Sequence, residues 1–311
     1  MTRLRKQFTY VGMALLSTLF SCSQAEDIPS AGGDGAERVA LRVAGASGAG
    51  GSVVLTRADD RTTLTGGSIG VFLKADAAKG YDAVNNLLFA YGTPFWQSEG
   101  QILLGSSMAT LAAYYPYASE KSNPLLLRSQ KFTDAEDLCY TDFRASKDAS
   151  TVKLDLNRIY SRIVFNFTAS YPGNIRSVKM QGDGVIPVAF LDMFELTASK
   201  TVRELLDPFT GIYGIEVKGI NSDFTADTKG VADCLMIPYR LKGDFSFTVN
   251  VNGAEMSGKV PAADLCGPDC ILYEGVKYEI NVTIQKGFLH VTSLKKMKWD
   301  EVDVEGDYVI Q

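Results

Sequence analysis

Short segments in which apolar and polar residues alternate recur along most of this chain. The clearest is Phe245-Ser246-Phe247-Thr248-Val249-Asn250-Val251, whose side chains would point alternately to the two faces of an extended strand. It ends at Asn252-Gly253, a pair that favours the positive φ angles of a tight hairpin turn. Similar strands are predicted at residues 69–73, 101–104, 109–115, 152–156, 163–167, 278–284 and 288–291.

Helix signals are few, and only residues 76–86 and 189–196 are candidates. Regularly spaced short strands bounded by Gly, Asn, Asp or Pro are typical of β-sandwiches. A chain of 311 residues, less a leader, is long enough for two such domains. The sequence therefore predicts an all-β protein built from two tandem sandwiches.

The first 21 residues have the organisation of a secretory signal peptide. Three basic residues precede an apolar run over residues 11–20, which is shorter than the ~20 residues of a membrane-spanning helix. Cys22 follows Leu19-Phe20-Ser21 directly, in the position of a lipoprotein's modified cysteine. We expect cleavage before Cys22 and acyl chains such as palmitate on it, which would anchor the chain at a membrane surface. An ordinary secretory signal is the alternative.

The mature chain is acidic. Three of the 31 Lys and Arg residues lie in the leader with none of the 36 Asp and Glu residues, so the mature charge is 28 minus 36, or −8. An acidic surface repels phosphate backbones, which argues against nucleic acid as a partner.

A polar, Gly-rich tether over residues 23–37 leads into the first predicted strand. Val39, Leu41 and Val43 fall on one side of this strand, and Arg42 falls on the other. Residues 45–51 are mostly Gly and Ala, so we expect a loop there.

Catalytic patterns are weak. His290 is the single histidine and is expected to lie on a strand; no Gly-x-Ser-x-Gly turn or phosphate-binding loop accompanies it. Cys266 and Cys270 bracket a five-residue turn that could close as a disulfide or hold two free thiols, and a closed metal site would need two further ligands. We predict no enzymatic activity, cofactor or metal.

Several segments resemble, in order and spacing, the fimbrillin family of Bacteroidetes, which comprises pilus subunits and fimbrillin-like surface lipoproteins. The resemblance spans roughly residues 38 to 300. It rests on Thr56-Arg57-Ala58 before Ile69-Gly70-Val71-Phe72, Ala113-Tyr114-Tyr115-Pro116-Tyr117, Asp137-Leu138-Cys139-Tyr140, Val152-Lys153-Leu154-Asp155-Leu156 before Ser161-Arg162-Ile163-Val164-Phe165, Tyr273-Glu274-Gly275-Val276-Lys277-Tyr278 and Trp299.

The resemblance implies two tandem transthyretin-like Greek-key β-sandwich domains. The expected division is a signal peptide at 1–21, a tether and removable N-terminal strand at 22–57, an N-terminal domain at 58–157 and a C-terminal domain at 158–311. It also implies polymerisation by strand exchange: an Arg-specific protease removes the first strand, and a strand from another subunit fills the groove that is left.

The predicted cut lies between Arg57 and Ala58, with Arg38, Arg42 and Arg61 as rivals. The strand that leaves carries Val39, Leu41 and Val43. The candidate donor strand is the C-terminal segment 301–311, where Val302, Val304, Tyr308 and Ile310 share one face. The alternative is that this segment forms the last strand of its own sheet.

The resemblance thus implies a structural subunit of a surface fimbria that functions in adhesion. It would begin as an outer-membrane lipoprotein precursor, and its partners would be other fimbrial subunits, the same or different. The alternative is a non-polymerising surface lipoprotein that binds a glycan or host ligand, with Trp96 and the cluster Tyr114, Tyr115 and Tyr117 as stacking candidates.

Overall fold

A computed structural model describes residues 37–48, 62–194, 206–208 and 214–299. Strands dominate this part of the chain, so the predicted all-β class is confirmed. The first strands are β1 Val39–Ala40, β2 Arg42–Gly48, β3 Thr62–Thr63, β4 Ser68–Leu73, β5 Val84–Ala90, β6 Leu103–Leu104, β7 Ala109–Tyr115, β8 Leu125–Arg128, β9 Gln130–Lys131, β10 Cys139–Ala145 and β11 Thr151–Arg158.

The remaining strands lie between residues 161 and 298. They are β12 Ser161–Thr168, β13 Gly173–Asp183, β14 Val188–Leu191, β15 Leu206–Pro208, β16 Gly214–Phe224, β17 Gly230–Met236, β18 Lys242–Val251, β19 Ala254–Pro261, β20 Val276–Gln285 and β21 Phe288–Lys298. Among the described residues, one short α-helix, α1, spans Ala262–Cys266, and two 3₁₀ turns span Ala77–Lys79 and Lys147–Ala149.

Both predicted helices are wrong where the structure describes them. Within 76–86 only the turn Ala77–Lys79 is helical; it ends at Gly80 with φ 73°, and strand β5 begins at Val84. Within 189–196, the residues up to 191 belong to β14. In each case pairing with a partner strand, β4 for β5 and β8 for β14, outweighs a weak local preference for helix.

The described strands form five sheets. The largest has the order β3-β2-β11-β10-β7-β4-β5, and the next has the order β21-β20-β12-β17-β9. A four-stranded sheet has the order β16-β13-β18-β19, a three-stranded sheet the order β15-β14-β8, and β1 pairs with β6. The short strands β8 and β9 come from the first half of the chain but pair with β14 and β17 of the second half.

The buried residues in the described part of the chain form three clusters. One draws on residues 41–156 beneath the seven-stranded sheet, and a second draws on residues 163–284. In the second cluster the five- and four-stranded sheets face each other, with the rings of Phe165 and Phe247 5.1 Å apart. The third cluster joins residues of both halves, including Tyr114, Leu235 and Trp299. The division at 157/158 and the Greek-key order remain predictions.

Candidate functional site

The N-terminal strand β2 lies inside the seven-stranded sheet, between β3 and β11. It runs parallel to β11, from Arg42 opposite Thr151 to Gly48 opposite Leu156. It runs antiparallel to β3, where Gly48 lies opposite Thr62. Because β3 is so short, β2 closes most of this side of the sheet, and β11 would present an unpaired edge without it.

The structure divides the strand that was predicted to carry Val39, Leu41 and Val43: Val39 lies in β1, Leu41 lies between β1 and β2, and Val43 lies in β2. Leu41 and Val43 are buried in the first core cluster, with Val43 fully enclosed. Val39 is half-buried in β1, where it pairs with Leu104. The side chain of Arg42 is exposed, and its guanidinium lies 5.5 Å from the ring centroid of Phe95. This segment thus has one apolar face that packs into the core and one face that is exposed to solvent.

The loop expected at residues 45–51 is wrong for its first half, because β2 continues through Gly45-Ala46-Ser47-Gly48. Backbone pairing on both sides overrides the low strand propensity of glycine. Gly48 also has a packing role, because a Cβ there would lie 3.2 Å from the Cβ of Leu156. Only glycine lets the two strands approach this closely without displacing a neighbour.

The pairing of β2 with β11 contains one irregularity. Val43 lies opposite Val152 and Gly45 lies opposite Lys153, so Ala44 is an extra residue in the ladder. This is a β-bulge, which is rare between parallel strands. The sequence pattern does not predict this bulge, because the apolar residues Val39, Leu41 and Val43 alternate regularly with other residues up to Ala44.

Hydrogen bonds fix the strand beyond its ladders. The backbone N–H of Leu41 donates to Ile102 O at 2.8 Å, and the N–H of Trp96 donates to Val43 O at 2.9 Å. The hydroxyl of Ser47 donates to a carboxylate oxygen of Asp155 at 3.1 Å. The strand is therefore bound by backbone and side chains from three separate stretches of the chain.

Several predicted residues lie outside the described part of the chain. These are the leader, Cys22, Arg57, Ala58 and the candidate donor residues Val302, Val304, Tyr308 and Ile310. Their lipidation, cleavage and donor roles remain predictions.

The cysteine pair does not form the disulfide in this structure. Cys266 ends helix α1 and is buried, whereas Cys270 is half-buried with φ 56°; both are free thiols. Burial raises the pKa of the Cys266 thiol to about 12.

Two of the four aromatic stacking candidates are unavailable to a ligand. Trp96 is buried beside Val43, and Tyr114 is fully buried, with its hydroxyl donating to the side-chain oxygen of Asn86 at 2.9 Å. Burial raises the pKa of Tyr114 to about 12. Tyr115 and Tyr117 are only half-buried.

His290 is exposed on β21 and pairs with Thr283 in the ladder. Within the described residues, no group of three or more His, Cys, Asp or Glu side chains could hold a metal ion. In the same part of the chain, no helix combines the length and the apolar character that a membrane crossing requires.

The sequence reading missed a buried polar contact at the point where the candidate donor segment begins. Trp299 is the last described residue, and its ring centroid lies 4.3 Å from the guanidinium carbon of Arg158. Arg158 forms a buried ion pair with Asp137 at 3.0 Å. The motif Asp137-Leu138-Cys139-Tyr140 and the late Trp299 were both noted in the sequence, but nothing there linked them through Arg158.

Comparison with solved structures shows the same fold in other proteins. A Bacteroides uniformis protein proposed to function in cell adhesion is 18% identical with a TM-score of 0.51, over 84% of this chain and 99% of that one. A Bacteroides ovatus protein proposed to function in cell adhesion is 17% identical with a TM-score of 0.52, over 86% of this chain and all of that one. None of the curated proteins compared with the chain matches it.

The family described as fimbrillin-like matches residues 56–299, which is most of the chain. This stretch contains the described strands from β3 to β21. The match agrees with the resemblance read from the short motifs, from Thr56-Arg57-Ala58 to Trp299. The chain belongs to the fimbrillin-like family.

Proposed function

We propose that this protein is a structural subunit of a cell-surface fimbria, assembled by protease-triggered strand exchange and serving adhesion. Membership of the fimbrillin-like family supports a pilus-subunit or adhesion role. The observation that carries the finer proposal is the position of β2, an N-terminal strand that lies inside a sheet and, with Leu41 just before it, packs Val43 into the core. Residues 49–61, which include Arg57, connect this strand to β3.

A cut after Arg57 would separate β2 from the rest of the protein without breaking any other strand that the structure describes. β3 and every later strand stay on the C-terminal fragment. Loss of β2 would leave the edge of β11 unpaired and expose the side of the core that Leu41 and Val43 now cover. Such an edge favours capture of another strand.

In this scheme Cys22 carries acyl chains and holds the uncut precursor at the outer membrane surface. The strand that leaves takes the lipid with it, so cleavage would both free the subunit and open its groove. The partners are an Arg-specific protease and other fimbrial subunits. The subunit therefore moves from the outer membrane, where it is a lipoprotein precursor, to the fimbrium.

The alternative of a ligand-binding lipoprotein that does not polymerise has less support, because Trp96 and Tyr114 are core residues. Mild trypsin treatment separates the two functions. The unlipidated precursor, carrying Cys22→Ala, should lose residues up to Arg57 and then form a ladder of polymers on size-exclusion chromatography.

Two variants make the experiment specific. Arg57→Ala should remain monomeric under the same treatment, whereas Arg61→Ala should polymerise as the parent does. Deletion of residues 301–311 should give a folded, cleavable protein that cannot extend a polymer. Complete cleavage after Arg57 that yields only monomers would contradict the fimbrial function, and failure of the deletion variant to fold would place the segment in its own sheet.

A further inference from the structure

The edge of β11 that faces β2 is regular, although β2 is not. Along β11, Val152, Leu154 and Leu156 point toward the core at intervals of two, with Leu154 and Leu156 buried. The resident strand meets them with Val43, Ala46 and Gly48, which are spaced by three and then by two because of the bulge at Ala44. The resident strand therefore matches the groove only by means of an extra residue.

The resident side chains also become smaller along the groove. Val43 is fully buried opposite Val152, Ala46 is opposite Leu154, and Gly48 is opposite Leu156. At Gly48 the groove is tight, because a Cβ would lie 3.2 Å from Leu156 Cβ and the neighbour would have to move by a few tenths of an ångström. The solvent-exposed face of the groove has open space, because a Cβ at Gly45, opposite Lys153, would meet nothing within 4 Å.

We propose that this groove accepts residues 301–311 of a second copy, parallel to β11 and without a bulge, with Gly306 opposite Leu156. The inference rests on the proposed strand exchange and specifies its register. Val302 then takes the place of Val43 opposite Val152, and Val304 takes the place of Ala46 opposite Leu154. The regular alternation of the incoming strand matches the regular alternation of β11.

Steric space selects this register. A slip of two residues in one direction would put Tyr308 against Leu156, where even a Cβ would lie 3.2 Å from Leu156 Cβ and a neighbour would have to shift. A slip in the other direction would put Val304 there, and its Cβ would meet the same close contact. On the apolar face of the donor segment, Gly306 is the one small residue among larger ones, and it is the residue that fits opposite Leu156.

Charge agrees with this register but does not select it. Asp303 would occupy the open space at Gly45 and lie beside Lys153, whereas the slipped strand would put Glu305 there. In either register a second acidic residue lies beside Asp155, which now accepts a hydrogen bond from Ser47. Packing at Leu156 therefore decides the register.

Cysteine cross-linking between copies tests the register. Two protein samples are prepared, both with Cys22→Ala and Cys270→Ser. One sample also carries Lys153→Cys in the groove, and the other carries one cysteine in the donor segment. The two samples are cleaved with trypsin and then mixed. Asp303→Cys should give a disulfide-linked dimer on mild oxidation, because directly paired residues lie within disulfide reach. Glu305→Cys reports a slip of two residues, about 6.6 Å along the strand, and Val309→Cys reports an antiparallel strand.

The outcomes separate the register from the function. Cross-linking through Asp303→Cys alone supports the proposal. Polymer that cross-links best through Glu305→Cys or Val309→Cys, or through none of the three, overturns the register and leaves strand exchange standing. Complete cleavage without polymer overturns the proposed function and, with it, this inference.

A second variant tests the role of space at Leu156. Gly306→Val should slow polymer elongation by about tenfold, because overpacking a closed pocket displaces its neighbours. Asp307→Asn, on the wet face, should elongate as the parent does. Both precursors should retain the parent's thermal transition, so a change in rate reports the exchange step. Equal rates for Gly306→Val and the parent would overturn the proposal.

Discussion

Arg158 and Trp299 stack in the interior, with the guanidinium carbon 4.3 Å from the ring centroid, and this contact joins the end of β11 to the end of the described chain. Arg162 lies on the same ring at 5.2 Å. The backbone N–H of Trp299 also donates to Gly275 O at 3.0 Å. Trp299 is therefore held where the candidate donor segment begins, so that only the residues after it would be available to reach a neighbouring subunit.

The ion pair beneath this contact should be critical for stability. Asp137 and Arg158 lie 3.0 Å apart with side chains only 7% and 4% exposed. Asp137→Ala removes the carboxylate that pairs with the buried Arg158 guanidinium, so we expect the free energy of unfolding to fall by about 3–5 kcal/mol. Urea denaturation followed by tryptophan fluorescence measures the change.

The matched control is a solvent-exposed ion pair that also joins an aspartate to a basic side chain. Asp244 lies 2.9 Å from Lys259, and both side chains are largely exposed. Asp244→Ala should change the free energy of unfolding by less than about 1 kcal/mol. Equal losses for Asp137→Ala and Asp244→Ala would contradict a critical role for the buried pair.

Buried tyrosines should make stability fall at alkaline pH. Burial raises the pKa of Tyr114 from 10.0 to about 12, and burial also raises the pKa of Tyr140, Tyr160 and Tyr278. The unfolded chain releases these protons near pH 10 and the folded chain does not. Their stabilisation is therefore complete below pH 10 and is lost as the pH rises toward 12 and beyond.

Absorbance at 295 nm and circular dichroism, recorded together from pH 9 to 12, test this expectation. The buried phenols should ionise only as the fold is lost, while exposed tyrosines ionise earlier. Tyr114→Phe should flatten the fall in stability between pH 10 and 12, and at neutral pH it should cost about 1 kcal/mol for its lost hydrogen bonds. An unchanged slope in Tyr114→Phe would exclude Tyr114 as a source of the pH dependence.

Strands in which apolar and polar residues alternate could be predicted from the sequence. Strands that form because neighbouring strands pair with them could not. The run 245–251 lies within β18, and Asn252 and Gly253 have the positive φ angles that the hairpin requires. Gly45 to Gly48 carries no strand signal of its own, yet it lies between two partner strands in β2. The same holds for residues 84–86, which were predicted as helix but begin strand β5, where Val84 lies opposite Leu73 of β4.

The candidate site was predictable in part for the same reason. Alternation identified Leu41 and Val43 as an apolar face, and both are buried. The bulge at Ala44 and the close approach at Gly48 depend on β11, which is about a hundred residues away in the chain, so no local pattern encodes them. The stacking of Arg158 on Trp299 is a contact of the same long-range kind.

Gly70 in the motif Ile69-Gly70-Val71-Phe72 should not tolerate a side chain. A Cβ there would overlap the ring of Tyr114 and the side chain of Asn86, which are hydrogen-bonded to each other. Gly70→Ala should therefore lower the free energy of unfolding by about 2–3 kcal/mol. Gly45→Ala, which meets open space, should stay within about 0.5 kcal/mol of the parent. Equal thermal transitions for the two variants would contradict this packing.

The four cysteines of the folded domains should differ sharply in reactivity. Cys139, Cys234 and Cys266 are buried, and burial raises the pKa of the Cys266 thiol to about 12 and raises that of Cys234 as well. Cys270 is half-buried at the turn. Because the thiolate is the reactive form and must also be reachable, a maleimide at pH 8 should label Cys270 first in the Cys22→Ala chain.

Mass spectrometry of the labelled protein distinguishes the states of the pair. One label in native buffer, lost in Cys270→Ser, and four labels in urea are expected for free thiols. A Cys266–Cys270 disulfide would instead give no label at Cys270, a mass 2 Da lower before reduction, and two fewer labels in urea until a reductant is added. Rapid labelling of Cys266 in native buffer would contradict its burial at the end of helix α1, where its carbonyl oxygen accepts a hydrogen bond from Lys296 Nζ at 2.7 Å.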